Sequence, residues 1–144
     1  YAMQIVQLIA ALEGWAHPSL QESYDNSGLL AGSPSAQCTG VVVTLDATEE
    51  VVLEALSRGC NLIVAHHPII FKGLKRLTGK TYIERAIITA LKHDIAVYAF
   101  HTNLDNIHNG VNAAIAAKLK LQNCSPLLFK PDQLKKLFTF VPLS

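Results

Sequence analysis

Three short apolar runs at strand length, with helical patterns between them, limit what this chain can fold into. Gly40-Val41-Val42-Val43-Thr44-Leu45 is β-branched and continuously apolar, as expected of a strand buried on both faces. Leu62-Ile63-Val64-Ala65 and the segment Ile95 to Phe100 are the next two runs. Between the first two, Val51, Val52, Ala55 and Leu56 give a helix its buried face. Between the second two, Tyr82, Ile83, Ala86, Ile87, Ala90 and Leu91 form another stripe at helical spacing. Such alternation implies right-handed crossovers, which set the strands parallel and cover both faces of the sheet with helices. The expected fold is a three-layer α/β/α domain with a largely parallel or mixed central sheet, a single domain over residues 1–144.

Weaker signals fill in the rest. Ile5, Leu8, Ile9 and Leu12 predict a short amphipathic helix, broken by Gly14 and Pro18. Ser19 to Ser35 reads as loop, with Leu29-Leu30-Ala31 a candidate short strand. Asp46 is placed to cap the next helix, because Glu49 stands three residues on, and Gly59 to stop it. Val111, Ala114, Ile115 and Leu119 predict a further helix, and Leu137-Phe138-Thr139-Phe140-Val141 a last strand.

Composition narrows the class. Half of the 144 residues are hydrophobic and 16% are charged, against a usual charged share of about 25%. A disordered chain is excluded, since it lacks the apolar surface to offset its ordering entropy. The net charge is +1 and the pI near 7.9, whereas a nucleic-acid-binding domain usually exceeds about 9. Nucleic acid is therefore not the expected partner. No apolar run approaches the ~18 residues of a membrane span, so no membrane partner is expected either. Tyr1-Ala2-Met3-Gln4 has neither part of a signal peptide. Cys38, Cys60 and Cys124 are odd in number and far apart, and read as small buried thiols in a reducing compartment. A cytoplasmic location is expected.

The functional signal lies at the strand ends. In an open parallel sheet, ligands bind beyond the carboxyl ends of the strands. The residues that follow the three runs are Asp46, then His66 and His67, then His101 with Asp105 close behind. Neighbours in an extended chain point to opposite sides, and Pro68 keeps His67 extended. Two such imidazoles chelate one ion poorly, yet each suits one ion of a pair. One strand-end His alone would read as a cap on backbone carbonyls. Two of them, with Asp105 on the same edge, point to metal, and a mixed imidazole and carboxylate set suits Zn, Mn, Fe, Co or Ni.

The same segments carry a family resemblance. Tyr24-Asp25-Asn26-Ser27-Gly28-Leu29, Asn61-Leu62-Ile63-Val64-Ala65-His66-His67-Pro68 and His101-Thr102-Asn103-Leu104-Asp105 together resemble the Nif-three-like family, also labelled the GTP cyclohydrolase I type 2 homologue family. The resemblance covers almost all of Met3 to Pro142. It implies a cytoplasmic protein that assembles into toroidal homohexamers, with centres of two divalent metal ions facing an internal cavity. It implies that His66, His67 and Asp105 are metal ligands, with His101 a weaker ligand beside them. Asp25 and Asn26 would line the site, touching either the ligands or a substrate, and Asp46 is read in the same way. The family's remaining ligands, a His and a Glu four residues apart, lie near the C-terminus of a longer chain. This chain is thus expected to be the N-terminal half, with water, a neighbouring subunit or the other half filling the roughly eight positions of two four-coordinate ions.

The function so implied is that of a metal-dependent hydrolase. Two ions would activate a water, which Asp46 or His101 could orient. The family label points to a nucleotide-like substrate, with opening of a purine imidazole ring; no catalytic residue is assigned. The alternative is a non-catalytic metal-binding scaffold or regulatory interaction protein. Thr78-Gly79-Lys80-Thr81 looks like the tail of a phosphate-binding loop, but the first glycine that motif requires would fall at Leu74. It reads instead as a helix N-terminus entered from a loop. Lys72, Lys75, Arg76 and Lys80 could draw an anionic ligand toward the metal edge, although a solvated loop is the plainer reading. His17 is expected in a surface loop and His93 in the last turn of its helix. His108 is a weak candidate beside Asp105, and Trp15 is expected in the core or an interface.

Overall fold

The three apolar runs become parallel neighbours. The computed structural model describes residues 3–126. In it β2 (Val41–Asp46) pairs with β3 (Leu62–His67), and β3 with β4 (Ala96–Ala99), both in parallel. The candidate short strand forms as β1 (Gly28–Ala31), antiparallel to β4, so the sheet is mixed with the order β1-β4-β3-β2. Helices α2 (Glu49–Ser57) and α3 (Tyr82–Lys92) are the two crossovers, and α1 (Ile5–Trp15) precedes the sheet. After β4 come a four-residue helix, α4 (Thr102–Asp105), and α5 (Val111–Lys118). The strand expected at Leu137–Val141 lies outside the described residues.

Side-chain alternation along β3 builds the layers. Leu62 and Val64 join Ile5 and Ile9 of α1 with Tyr98 and Phe100 on one face. Ile63 and Ala65 join Val52 and Ala55 of α2, Ala86 and Ala90 of α3, and Val97 on the other. The small residues on α2 and α3 let both helices approach the sheet closely. The three-layer α/β expectation therefore holds, with β3 buried along Leu62–Ala65.

Two local expectations change. β2 is not buried on both faces: it is the edge of the described sheet, with Val43 79% and Leu45 59% exposed. An unbroken apolar run reports strand propensity, but it does not say how many neighbours the strand will have. Asp46 does not cap α2 either. It closes β2, and the hydroxyl of Thr48 instead accepts from Val51 N–H at 3.4 Å. Gly59 does follow the end of α2, at φ +67°, where a side chain would be strained. His93 is the residue just after α3.

One buried polar atom stands out. Tyr98 is fully buried, edge-on to Phe100 at 5.2 Å, and its hydroxyl has no hydrogen-bond partner among the described residues. Burial pushes the phenol up to about 12. A buried hydroxyl without a partner costs about 1–3 kcal/mol. Tyr98→Phe is therefore expected to melt at the same temperature as the wild type or higher. A clear fall in thermal denaturation would show that the hydroxyl is in fact paired.

Candidate metal centre

The register of the sheet delivers the strand-end residues to one edge. Asp46 stands opposite His67 across β2 and β3. The ladder between β3 and β4 reaches Ala65 and Ala99, with Phe100 N–H still bonded to the Ala65 carbonyl at 2.9 Å. Beyond it, His66, His67 and His101 converge. Alternation sends the first side-chain atoms of His66 and His67 apart, yet the two ring centroids are 5.0 Å from each other. The ring of His101 lies 5.7 Å from His66 and 5.9 Å from His67.

Carboxylates fix two of these rings. A carboxylate only accepts, so Nδ1 of His67 donates to Asp46 Oδ1 at 2.8 Å, and Nδ1 of His101 donates to Asp25 Oδ1 at 2.8 Å. A neutral ring so held carries its lone pair on Nε2, the arrangement that orients metal-bound histidines. Asp105, on α4, has Oδ1 3.9 Å from His66 Nε2. That gap is too long for a hydrogen bond, and a few tenths of an ångström wider than the spacing of two donors that share one tetrahedral ion at ~2.0–2.2 Å each.

The side chain of Asp25 is fully buried. Burial opposes its ionisation, but hydrogen bonds from the Thr102 hydroxyl, His101 and the backbone N–H groups of Asn26 and Thr102 outweigh this and hold it below the usual carboxylate range. Asn26 spends its side-chain amide on the Ile70 carbonyl at 2.5 Å, tying its loop to the segment after β3. His66 titrates below its ordinary 6.5, mainly because burial disfavours the imidazolium; the neighbouring rings of His67 and His101 add to this, and the Asp105 carboxylate opposes it. It is thus neutral at pH 7, the form a metal ligand requires.

Several supports were invisible as single residues. Asn103 is fully buried; its Oδ1 accepts from His101 N–H at 3.0 Å and its Nδ2 donates to the Ala16 carbonyl at 2.8 Å. It thereby sets the backbone of His101 against the end of α1. Phe71 stands edge-on to His101 at 6.0 Å. Gly110 is required where α5 begins, because a side-chain carbon there would sit 1.9 Å from the Leu104 carbonyl oxygen, one residue before Asp105. The only available signal for Thr102 and Asn103 was their place in the motif after β4. His108 is exposed and makes no hydrogen bond or ion pair among the described residues, and His17 accepts from Ser19 N–H in a short surface turn. Cys38 and Cys60 are half-buried but Cys124 is exposed, contrary to expectation.

No group of three or more His, Cys, Asp or Glu side chains among the described residues closes to a distance at which it could hold a metal ion. The chemistry of the donors still suits one: neutral imidazoles, two of them anchored through Nδ1, beside a carboxylate. No helix among the described residues is long and apolar enough to cross a membrane.

A family profile described as Duf34/NIF3 (NGG1p interacting factor 3) matches residues 3–141. The chain belongs to the Duf34/NIF3 family. It is 42% identical over 142 residues to the GTP cyclohydrolase 1 type 2 homolog of Staphylococcus aureus strain COL, covering 97% of this chain and 38% of that relative. Among solved structures it is similar to Staphylococcus aureus protein SA1388, at 43% identity and TM-score 0.81, over 85% of this chain and 35% of that one. It is also similar to reduced HcgD from Methanocaldococcus jannaschii, at 28% identity and TM-score 0.81, over 92% and 52%. This NIF3-family chain thus spans about two fifths of the length of the first of these relatives.

The phosphate-loop lookalike has a different occupant. Thr78 N–H and hydroxyl both donate to Glu84 Oε2 at 2.8 Å, Lys80 N–H joins them at 3.2 Å, and the Thr81 hydroxyl reaches Oε1 at 3.1 Å. The Thr81 hydroxyl also accepts from Glu84 N–H, capping α3. The loop cradles the carboxylate of its own helix, and these donors, led by Thr78 N–H, pull Glu84 from 4.5 to about 2. A depressed carboxyl adds stability that is complete above the unfolded value and is lost as pH falls through the folded one. Glu84→Gln should therefore melt below the wild type at pH 7, with the gap closing as pH drops from about 4.5 toward 2. Melting curves at pH 7, 4 and 3 measure this; a gap independent of pH would contradict the cradle.

Proposed function

We propose that this chain carries one wall of a centre of two divalent metal ions, and that the whole protein is a metal-dependent hydrolase of a nucleotide-like substrate. What carries the reading is the meeting of the His66, His67 and His101 imidazoles at the carboxyl ends of β3 and β4, two of them already anchored by carboxylates. His66, His67 and Asp105 would hold the ions, with His101 a weaker ligand, and Zn, Mn, Fe, Co or Ni suits this donor set. When bound, the ions supply Lewis acidity, lowering the pKa of a water and polarising the bond under attack.

The chain's own residues prepare the site. Asp46 and Asp25 select the tautomers of His67 and His101 and aim their Nε2 atoms. Burial keeps His66 neutral. Asn26 holds the start of the following loop in place through Ile70. By this reading the chain is the N-terminal half, and the remaining His and Glu ligands lie in the part of its relatives that it does not span. The relatives' name, GTP cyclohydrolase 1 type 2 homolog, supports a purine nucleotide as substrate. A cytoplasmic homohexamer belongs to the same proposal, and the exposed apolar residues of β2 support an interface there.

In the whole protein, His67→Ala is expected to abolish opening of the GTP imidazole ring, followed by ultraviolet absorbance, while circular dichroism shows the fold intact. Asp46→Asn should weaken metal affinity or activity roughly 10–100-fold, the usual cost of losing such an anchor. Unchanged turnover in His67→Ala would contradict the proposal. A wild type that holds metal without turning over nucleotide would favour the scaffold reading.

A further inference from the structure

Beside the histidine cluster a groove of ≈ 810 Å³ runs from Asp46 and His67 along the segment after β3 to the start of α3. That volume falls within the range of small-molecule sites, about 300–1,000 Å³. Lys72, Lys75 and Arg76 line it, all exposed, and no carboxylate among the described residues pairs with any of them. Three unpaired cations within five residues repel one another and, outnumbering the two carboxylates Asp46 and Glu84 of the same lining, draw anions to the groove. The two carboxylates in the same walls pair with none of them. Asp46 is bonded to His67, and Glu84 is turned into the Thr78–Thr81 cradle. Phe71 and Tyr82 also line the groove, 43% and 57% exposed, and present aromatic surface to it. Phe71 in turn touches the ring of His101, so the groove is continuous with the histidine cluster.

We propose that this groove binds a phosphate ester of a planar ring compound, with the phosphates on Lys72, Lys75 and Arg76, the ring against Phe71 and Tyr82, and the near end at His67. Arg76 offers a planar fork matched to phosphate oxygens, and the two lysines add point charges. The neighbouring helix N-terminus is not the phosphate site, since Glu84 already fills it. The inference deepens the proposed function, and rests on it only for the end of the ligand that faces His67.

Isothermal titration calorimetry of the full chain with GTP, inorganic tripolyphosphate and guanosine tests it. GTP is expected to bind more tightly than tripolyphosphate, and guanosine most weakly. The triple variant Lys72→Gln, Lys75→Gln, Arg76→Gln should weaken both phosphate probes by roughly tenfold or more. The control pair Lys92→Gln, Lys118→Gln should leave them unchanged. Retained affinity in the triple variant, an equal loss in the control, or guanosine binding as tightly as GTP would each overturn the subsite. Equal affinity for GTP and tripolyphosphate would overturn the role of the aromatic pair. These substitutions lie on exposed side chains, and melting curves check that each variant folds. Phosphate binding that follows this pattern without any turnover would remove the hydrolase reading and leave the subsite standing.

Discussion

The parallel pairing of β3 between β2 and β4 is the constraint on which the rest depends. Leu62, Ile63, Val64 and Ala65 are buried on both faces, so the register of β3 cannot slip without driving apolar side chains toward solvent and mismatching both ladders. That register places His66 and His67 just past the last residues that pair with β4. It also sets Asp46 opposite His67 and brings His101 off the end of β4. The polar cluster is thus a consequence of where the apolar ladder ends.

What holds the cluster in shape is a set of hydrogen bonds across long sequence separations. Asp25 reaches His101 and Thr102, Asn26 reaches Ile70, and Asn103 reaches Ala16. The loop before β1, the end of α1, the segment after β3 and the helix after β4 are fastened to one another at the edge of the sheet. Buried Asp25 ionises because four donors face it. Losing any one of them would leave a charge only partly compensated in a low-dielectric setting.

Much of this was legible in the sequence, for identifiable reasons. Strand and helix periods differ, so the β-α-β units, the helix over Ile5 to Leu12 and the convergence of Asp46, His66, His67, His101 and Asp105 follow from pattern and topology. The edge position of β2 did not follow, because an apolar run is the same whether it has one neighbour or two. Thr48, not Asp46, caps α2, since the Asp46 carboxylate is engaged with a histidine that only the folded register brings near. The four residues of α4 are too few to show a period. Thr78 to Thr81 looked like an anion site and is one, but its anion is Glu84, a partner that the motif pattern does not include.

The central claim is that the histidines at the ends of β3 and β4 hold divalent transition metal. Elemental mass spectrometry of the protein purified without chelator or metal-affinity resin tests it most directly, with the variant His66→Ala, His67→Ala run in parallel. The account predicts near-stoichiometric Zn, Mn, Fe, Co or Ni in the wild type and its loss from the folded variant. Equal metal content in the two proteins, whether high or at trace level, would contradict it.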